Sequence, residues 1–183
     1  MKYCINNLIG YDTVNILINE DFNINKSKNE ESMVVIKGTH TPLSNITRVG
    51  VELLRKTDSS YYGLLGFEYY PRNNNELIVM ICYEEELFEI YEDSILGNYE
   101  EIFVGLTSEY IKGIENSIEK IRDNINLFSG KIVINEAAQS LIGTSPYIYS
   151  MILHILLRIA GNDKEEYYDE ELREILLEVK SFQ

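Results

Sequence analysis

Apolar positions along this chain repeat with two different periods, and the change of period divides it. Short β-branched runs come first. "TVNILI" (13–18) and "MVVIKG" (33–38) read as strands, separated by the polar stretch "NEDFNINKSKNEES", whose Asn, Ser and charged residues make a loop. Together they predict a hairpin or a pair of strands over residues 1–44. Pro42 and Ser44 then punctuate the chain and place an internal boundary near residue 44. Beyond it, "ITRVGVELLRK" (46–56) and "GLLGFEYYP" (63–71) predict two strands joined through the polar interruption "TDSSYY". "ELIVMICY" (76–83) is a continuous apolar run suited to a strand buried on both faces. "EEELFEIYED" (84–93) predicts a helical turn or an edge segment.

From residue 103 the period lengthens. In "FVGLTSEYIKGIENSIEKIRDNINLFSG", Thr107 or Ser108 offers a cap and Glu109 complements the positive end of the helix dipole. Ile111, Ile114, Ile118, Ile121 and Ile125 recur at spacings of three and four, one stripe of an amphipathic helix. Gly130 ends the following turn, and "KIVIN" predicts a strand. A second helix begins at Ser145, with Pro146 at its first position where a missing N–H costs nothing. That helix is apolar nearly all round apart from the line Ser150, His154, Arg158, which predicts burial. "DEELREILLEVK" (169–180) adds a last helix with Leu172, Ile175, Leu176 and Val179 turned inward.

Composition narrows the function classes. The chain has 183 residues and a 45% hydrophobic content, ample for a core. Its formal charge of −14 opposes the phosphate neutralisation that drives nucleic-acid binding, so direct binding of nucleic acid by the whole surface is disfavoured. The acid is uneven. Residues 45–100 carry four basic and eleven acidic side chains, net −7, and residues 161–183 three and eight, net −5. Residues 101–160 carry five and six, net −1, and leave room for a local binding surface there.

Candidate chemistry is sparse. Cys4 and Cys82 belong to no disulfide or zinc spacing, and no phosphate-binding glycine loop is present. Glu84, Glu85, Glu86, Glu89, Glu92 and Asp93 lack the alternation of a calcium loop and read as a solvated acidic face. His154 reads as a packing residue, with Arg158 four positions on discouraging its protonation, and His40 stands in no motif. No cofactor and no metal site are expected. No run approaches the ~20 apolar residues of a membrane span, and the N-terminus lacks a signal-peptide core, so a cytoplasmic protein without membrane contact is expected. Two polar loops remain as binding candidates: "TDSSYYG" (57–63) and "AAQSLIGTS" (137–145).

The segments "RKTDSSYYGLLGFEYYP" and "FVGLTSEYIKGIENSI", with Glu109, Tyr110, Ile111, Ile114, Ile118, Gly130 and Ser145, resemble the fourth domain of the translation elongation factor G family over about residues 46–160. The resemblance implies an α+β fold: a mixed β-sheet with helices packed on one face, ribosomal protein S5 domain 2-like, built around a left-handed βαβ unit. Extra N-terminal strands (1–44) would join the domain (45–160), followed by an acidic C-terminal helix (161–183). Carried over by position, the family's tip loops are Thr57, Asp58, Ser59, Ser60 and Tyr61, and the stretch from Gln139 and Ser140 to Thr144. Asp58, Ser59 and Ser60 stand where the family has glycines. The resemblance thus implies a non-enzymatic binding module with a protein or ribosome partner. The alternative is an acidic inhibitor of the immunity-protein type, steered to a basic partner by its charge. A hydrolytic or transferase enzyme ranks third, because no nucleophile is identifiable.

Overall fold

The alternating runs build the central layer of the molecule. The computed structural model describes residues 1–27, 29–39, 41–56, 60–121 and 127–181. Its strands are β1 (Lys2–Leu8), β2 (Tyr11–Ile18), β3 (Glu30–Lys37), β4 (Arg48–Lys56), β5 (Ser60–Tyr70), β6 (Glu76–Tyr83), β7 (Ile102–Val104) and β8 (Gly130–Ser140), and its helices α1 (Ile111–Ile121), α2 (Pro146–Asn162) and α3 (Asp169–Ser181). All strands join one sheet in the order β1-β2-β4-β5-β8-β6-β3. One edge of β8 is shared: Gly130 to Ile134 pair with β6 and Ala138 to Ser140 with β7. Among the described strands only the β6–β8 pair is parallel, and α1 lies in the connection between them. The expected α+β character and mixed sheet are both present.

Several elements differ from the sequence reading, each for a physical reason. β2 and β3 do not pair: β2 sits between β1 and β4, while β3 lies at the opposite edge beside β6. Residues 19–27 run out across the sheet, where Ser27 N donates to the Asn135 carbonyl at 3.0 Å. β1 escapes the local pattern because its apolar run is broken by Asn6 and Asn7, and only pairing with β2 makes it a strand. In β6, Leu77, Val79 and Ile81 are buried while Ile78 and Met80 are half-buried, so one face alone meets a full layer. Residues 84–93 form no helix; Ile90 bridges Phe103 and the segment runs beside β7 as an edge. Thr107 makes no cap bond through its side chain. A single 3₁₀ turn (Ser108–Tyr110) leads into α1 instead.

The helices share one face of the sheet. Ile114 and Ile118 of α1 are fully buried, with Ile111 and Ile121 close behind; Ile125 lies outside the described residues. α2 packs on β4 and β5 between α1 and α3, and α3 reaches β1. As its sequence predicts, α2 is capped by Ser145, whose Oγ accepts from Ile148 N, with Pro146 at its start. Asp163 closes α2 in the left-handed region at φ 43. Its carboxylate accepts from Ser44 N (2.7 Å), Ser44 Oγ (2.9 Å), Asn45 N (2.9 Å) and Ile46 N (3.2 Å), tying the turn before β4 to the far end of the helix.

Candidate functional site

Strand register gathers the sequence candidates at one end of the sheet, here called the apex. Arg55 pairs with Tyr61 across β4 and β5, Leu64 pairs with Ala138, and Tyr62 N donates to Gly143 O at 3.1 Å. The stretches around 60–62 and 139–145 therefore adjoin. Thr57, Asp58 and Ser59 lie outside the described residues, as does His40, while Ser60 opens β5 and Tyr61 is half-buried against the core.

Gln139 and Ser140 are not loop residues. They end β8, both buried, because β8 continues past "KIVIN" through a second set of partners on β7. Gln139 Oε1 accepts from Thr107 N (3.1 Å) and Thr107 Oγ1 (3.3 Å). Ser140 Oγ accepts from Ile142 N (3.1 Å) and Gly143 N (2.8 Å) and donates to Glu100. Thr144 Oγ1 in turn accepts from Ser140 N and donates to Tyr62 O, each at 2.8 Å. The polar groups of this turn are spent on one another, so they hold its shape rather than reach for a ligand.

What the turn presents is apolar. Leu141 is 73% exposed and Ile142 88%. Tyr147 at the start of α2 and Tyr99 just before Glu100 are exposed as well, and at the same end of the sheet the tip of the β1–β2 hairpin exposes Ile9. Asn7, Ile9, Tyr11, Asp12 and Arg55 line a shallow groove at that hairpin tip. The acidic run 84–93 is not remote from this end, because Val104 N donates to Glu89 O and β7 joins Ser140 to that run.

A second polar cluster lies on the sheet face opposite the helices, and the sequence did not mark it. Two largely irregular straps, residues 19–27 and 84–101, lie over part of that face. Phe22, Tyr91 and Leu96 seal it against Leu54, Tyr62 and Leu64. Beneath them Glu52 is fully buried. Its Oε1 accepts from Tyr62 Oη (2.9 Å) and Ile95 N (3.0 Å), and its Oε2 from Asn15 Nδ2 (3.0 Å). Burial raises the Glu52 carboxyl above the ordinary carboxylate range, and these three hydrogen bonds pull the other way.

Glu136 is 1% exposed, and neither oxygen meets a donor at ordinary hydrogen-bond geometry; Lys26 Nζ and Arg48 Nη1 each stand 3.9 Å away. Burial pushes its carboxyl up to about 7, against the pull of Arg48, Lys26 and a looser contact with the Phe22 backbone. The two cations are engaged elsewhere. Lys26 binds Glu68 at 2.5 Å, and Arg48 binds Glu68 at 2.6 Å and Asp21 at 2.5 Å. Burial alone would raise Glu68, but hydrogen bonds from Lys26, Tyr70 and Arg48, with the charge of Lys26, bring it down to about 2.

A cross-strand glycine pair, Gly50 and Gly66, makes the slot for this arrangement. A Cβ on Gly50 would stand 2.5 Å from the Phe22 ring, and one on Gly66 2.6 Å from a Glu136 oxygen. Glycines inside strands signal close approach, and these two were the only sequence sign of the covered face.

Other reactive groups are set for packing. His154 is buried on α2, and burial followed by the Arg158 charge lowers its pKa to about 4, leaving a neutral imidazole. The Cys82 thiol is buried and its pKa raised by that burial. Among the described residues no three His, Cys, Asp or Glu side chains form a metal cluster, and no helix is long and apolar enough to cross a membrane. Compared with protein-family models, with curated proteins and with solved structures, the chain finds no match.

Proposed function

We propose that this chain is a non-enzymatic binding module with an elongation factor G domain IV-like fold, docking through its apex onto a protein surface such as that of the ribosome. The observation that carries the reading is the 140–144 turn: Leu141 and Ile142 are held in the open by a hydrogen-bonded network that is complete without a ligand. A turn fixed in advance loses little conformational freedom on binding, and adjacent exposed aliphatics gain from burial. A mixed sheet with a parallel β6–β8 pair connected through α1 and its helices on one face supports the reading.

Co-sedimentation with ribosomes tests the reading. Ile142→Asp is expected to abolish binding while moving unfolding stability by less than about 0.5 kcal/mol, as for an ordinary surface substitution. Binding that survives this change sinks the apex as the docking surface. A second reading rests on the acidic run, where Phe88 is 81% exposed between Glu85, Glu86 and Glu89. An acidic surface with an aromatic anchor suits a basic protein partner. Charge reversal at Glu85 or Glu86 slows association in that case, added salt has the same effect, and Ile142→Asp is silent.

A further inference from the structure

The two edges of the sheet are unlike, and the difference points to a partner. β1, at one edge, is blunted: Asn7 at φ 54 turns its end, α3 packs against it, and Lys180 Nζ donates to Ile9 O. β3, at the other edge, has none of the backbone breaks that keep an edge strand solitary, and its charged residues, Glu30, Glu31 and Lys37, stand only at its ends. All eight of its residues pair in unbroken register with β6, from Glu30 opposite Tyr83 to Lys37 opposite Glu76, and it holds no proline or positive-φ residue. On the face away from the helices it exposes Met33 (63%) and Val35 (48%).

That apolar surface extends inward from the edge. Met33 lies beside Met80, which lies beside Val133; Val35 lies beside Ile78. The straps stop short of this quarter of the sheet, where Ile78, Met80 and Val133 are only half-buried and Tyr70 is exposed.

We infer that β3 pairs antiparallel with β3 of a second copy of this chain, about a twofold axis through Val34, joining two sheets into one. The choice of occupant rests on the charge order along the strand, "EESMVVIK", acidic at its start and basic at its end. An antiparallel partner centred on Val34 sets Glu31 opposite the second copy's Lys37 and Met33 opposite its Val35, each twice by symmetry. Residues directly opposite in an antiparallel pair point to the same face, so Glu31 meets a base beside a continuous apolar patch, while Glu30 falls opposite Gly38. A twofold interface requires a surface complementary to itself, and this strand is one. The overall charge of −14 would otherwise keep two copies apart.

The test is a charge swap on the whole chain, read by sedimentation velocity or light scattering. The unaltered protein is expected to be a dimer. E31K alone and K37E alone each set like charges opposite one another at both ends of the interface and are expected to run as monomers. An equimolar mixture of the two restores both ion pairs and is expected to recover the dimer. Circular dichroism checks that each variant is folded, which matters for K37E because Lys37 also faces Glu76 within the sheet. A monomeric unaltered protein overturns the inference, as do variants that stay dimeric or a mixture that stays monomeric. Ile142→Asp leaves the dimer intact, so a failure of apex docking and a failure of this interface are told apart.

Discussion

The two faces of the sheet bury similar strands under different coverings, and their chemistry follows the covering. On the helix side, Val49, Val51, Leu65, Phe67, Ile132 and Ile134 meet α1 and α2, and the contact is almost wholly apolar. A helix satisfies its own backbone and offers only side chains to the sheet. On the other side the covering is irregular chain, which brings unpaired amides and carbonyls into a buried space. The strands answer with polar residues. Glu52 takes the Ile95 amide, and nearby at the sheet margin Asn19 Oδ1 takes the amides of Thr47 and Arg48. A strap is thus anchored by the acids and amides beneath it, whereas a helix is anchored by shape.

The helix face should be the more sensitive to lost volume. Ile118→Ala removes a fully buried side chain between α1 and the sheet and is expected to cost ~2–5 kcal/mol in urea unfolding. A loss below ~1 kcal/mol would show a face that relaxes to fill the hole, and the contrast in packing would fall.

The strap face should instead be sensitive to pH. The Glu136 carboxyl is raised in the folded protein from 4.5 to about 7, so folding favours its protonated form. Its contribution to stability is full below pH 4.5 and is lost as the pH rises through about 7. Glu136→Gln keeps the size and removes the charge. Relative to the unaltered protein it is expected to gain up to ~3 kcal/mol above neutrality, and to gain nothing in acid. The variant also removes the group that Arg48 and Lys26 face, although Glu68 still holds both. A stability difference that does not change between acid and neutral pH would show that the Glu136 carboxyl titrates alike in the folded and unfolded chain, and the raised carboxyl would fall.

The smallest effect sharpens the same contrast. Tyr62→Phe deletes one of the three donors to Glu52 while keeping the ring in its fully buried place. The loss should be ~0.5–1.5 kcal/mol, because Ile95 N still serves the same oxygen. No measurable loss in thermal or urea unfolding would show that the strap, not the tyrosine, anchors the acid.

Much of the helical layer was readable from the residues alone. The isoleucine spacing of 111–121, the Ser145–Pro146 start and the apolar line of 172–179 report a local period and local capping, which do not depend on distant chain. The strands 48–56 and 76–83 were readable for the same reason, as was β5 from residue 63 onward, whereas residues 60–62 read as loop and proved to be its first residues. The apex was legible in part: Tyr61 and the 141–144 turn adjoin, but Gln139 and Ser140 proved to be buried strand. Nothing in "NEAAQS" forecasts that β7 extends the pairing of β8, since the partner is supplied from thirty-odd positions away.

Glu52 and Glu136 show where that legibility ends. In "RVGVELL" the order polar, apolar, Gly, apolar, Glu is the signature of a strand with one wet face, and by local pattern Glu52 belongs in water. The sequence by itself settles which positions share a face, because the alternation of a strand is a property of each residue and its neighbours. It does not settle what lies over that face. The 19–27 and 84–101 straps are polar, without period, and find their place only by contact with a sheet assembled from both halves of the chain. Whether a carboxyl stays charged is decided by the water it keeps, and tertiary structure alone removes that water.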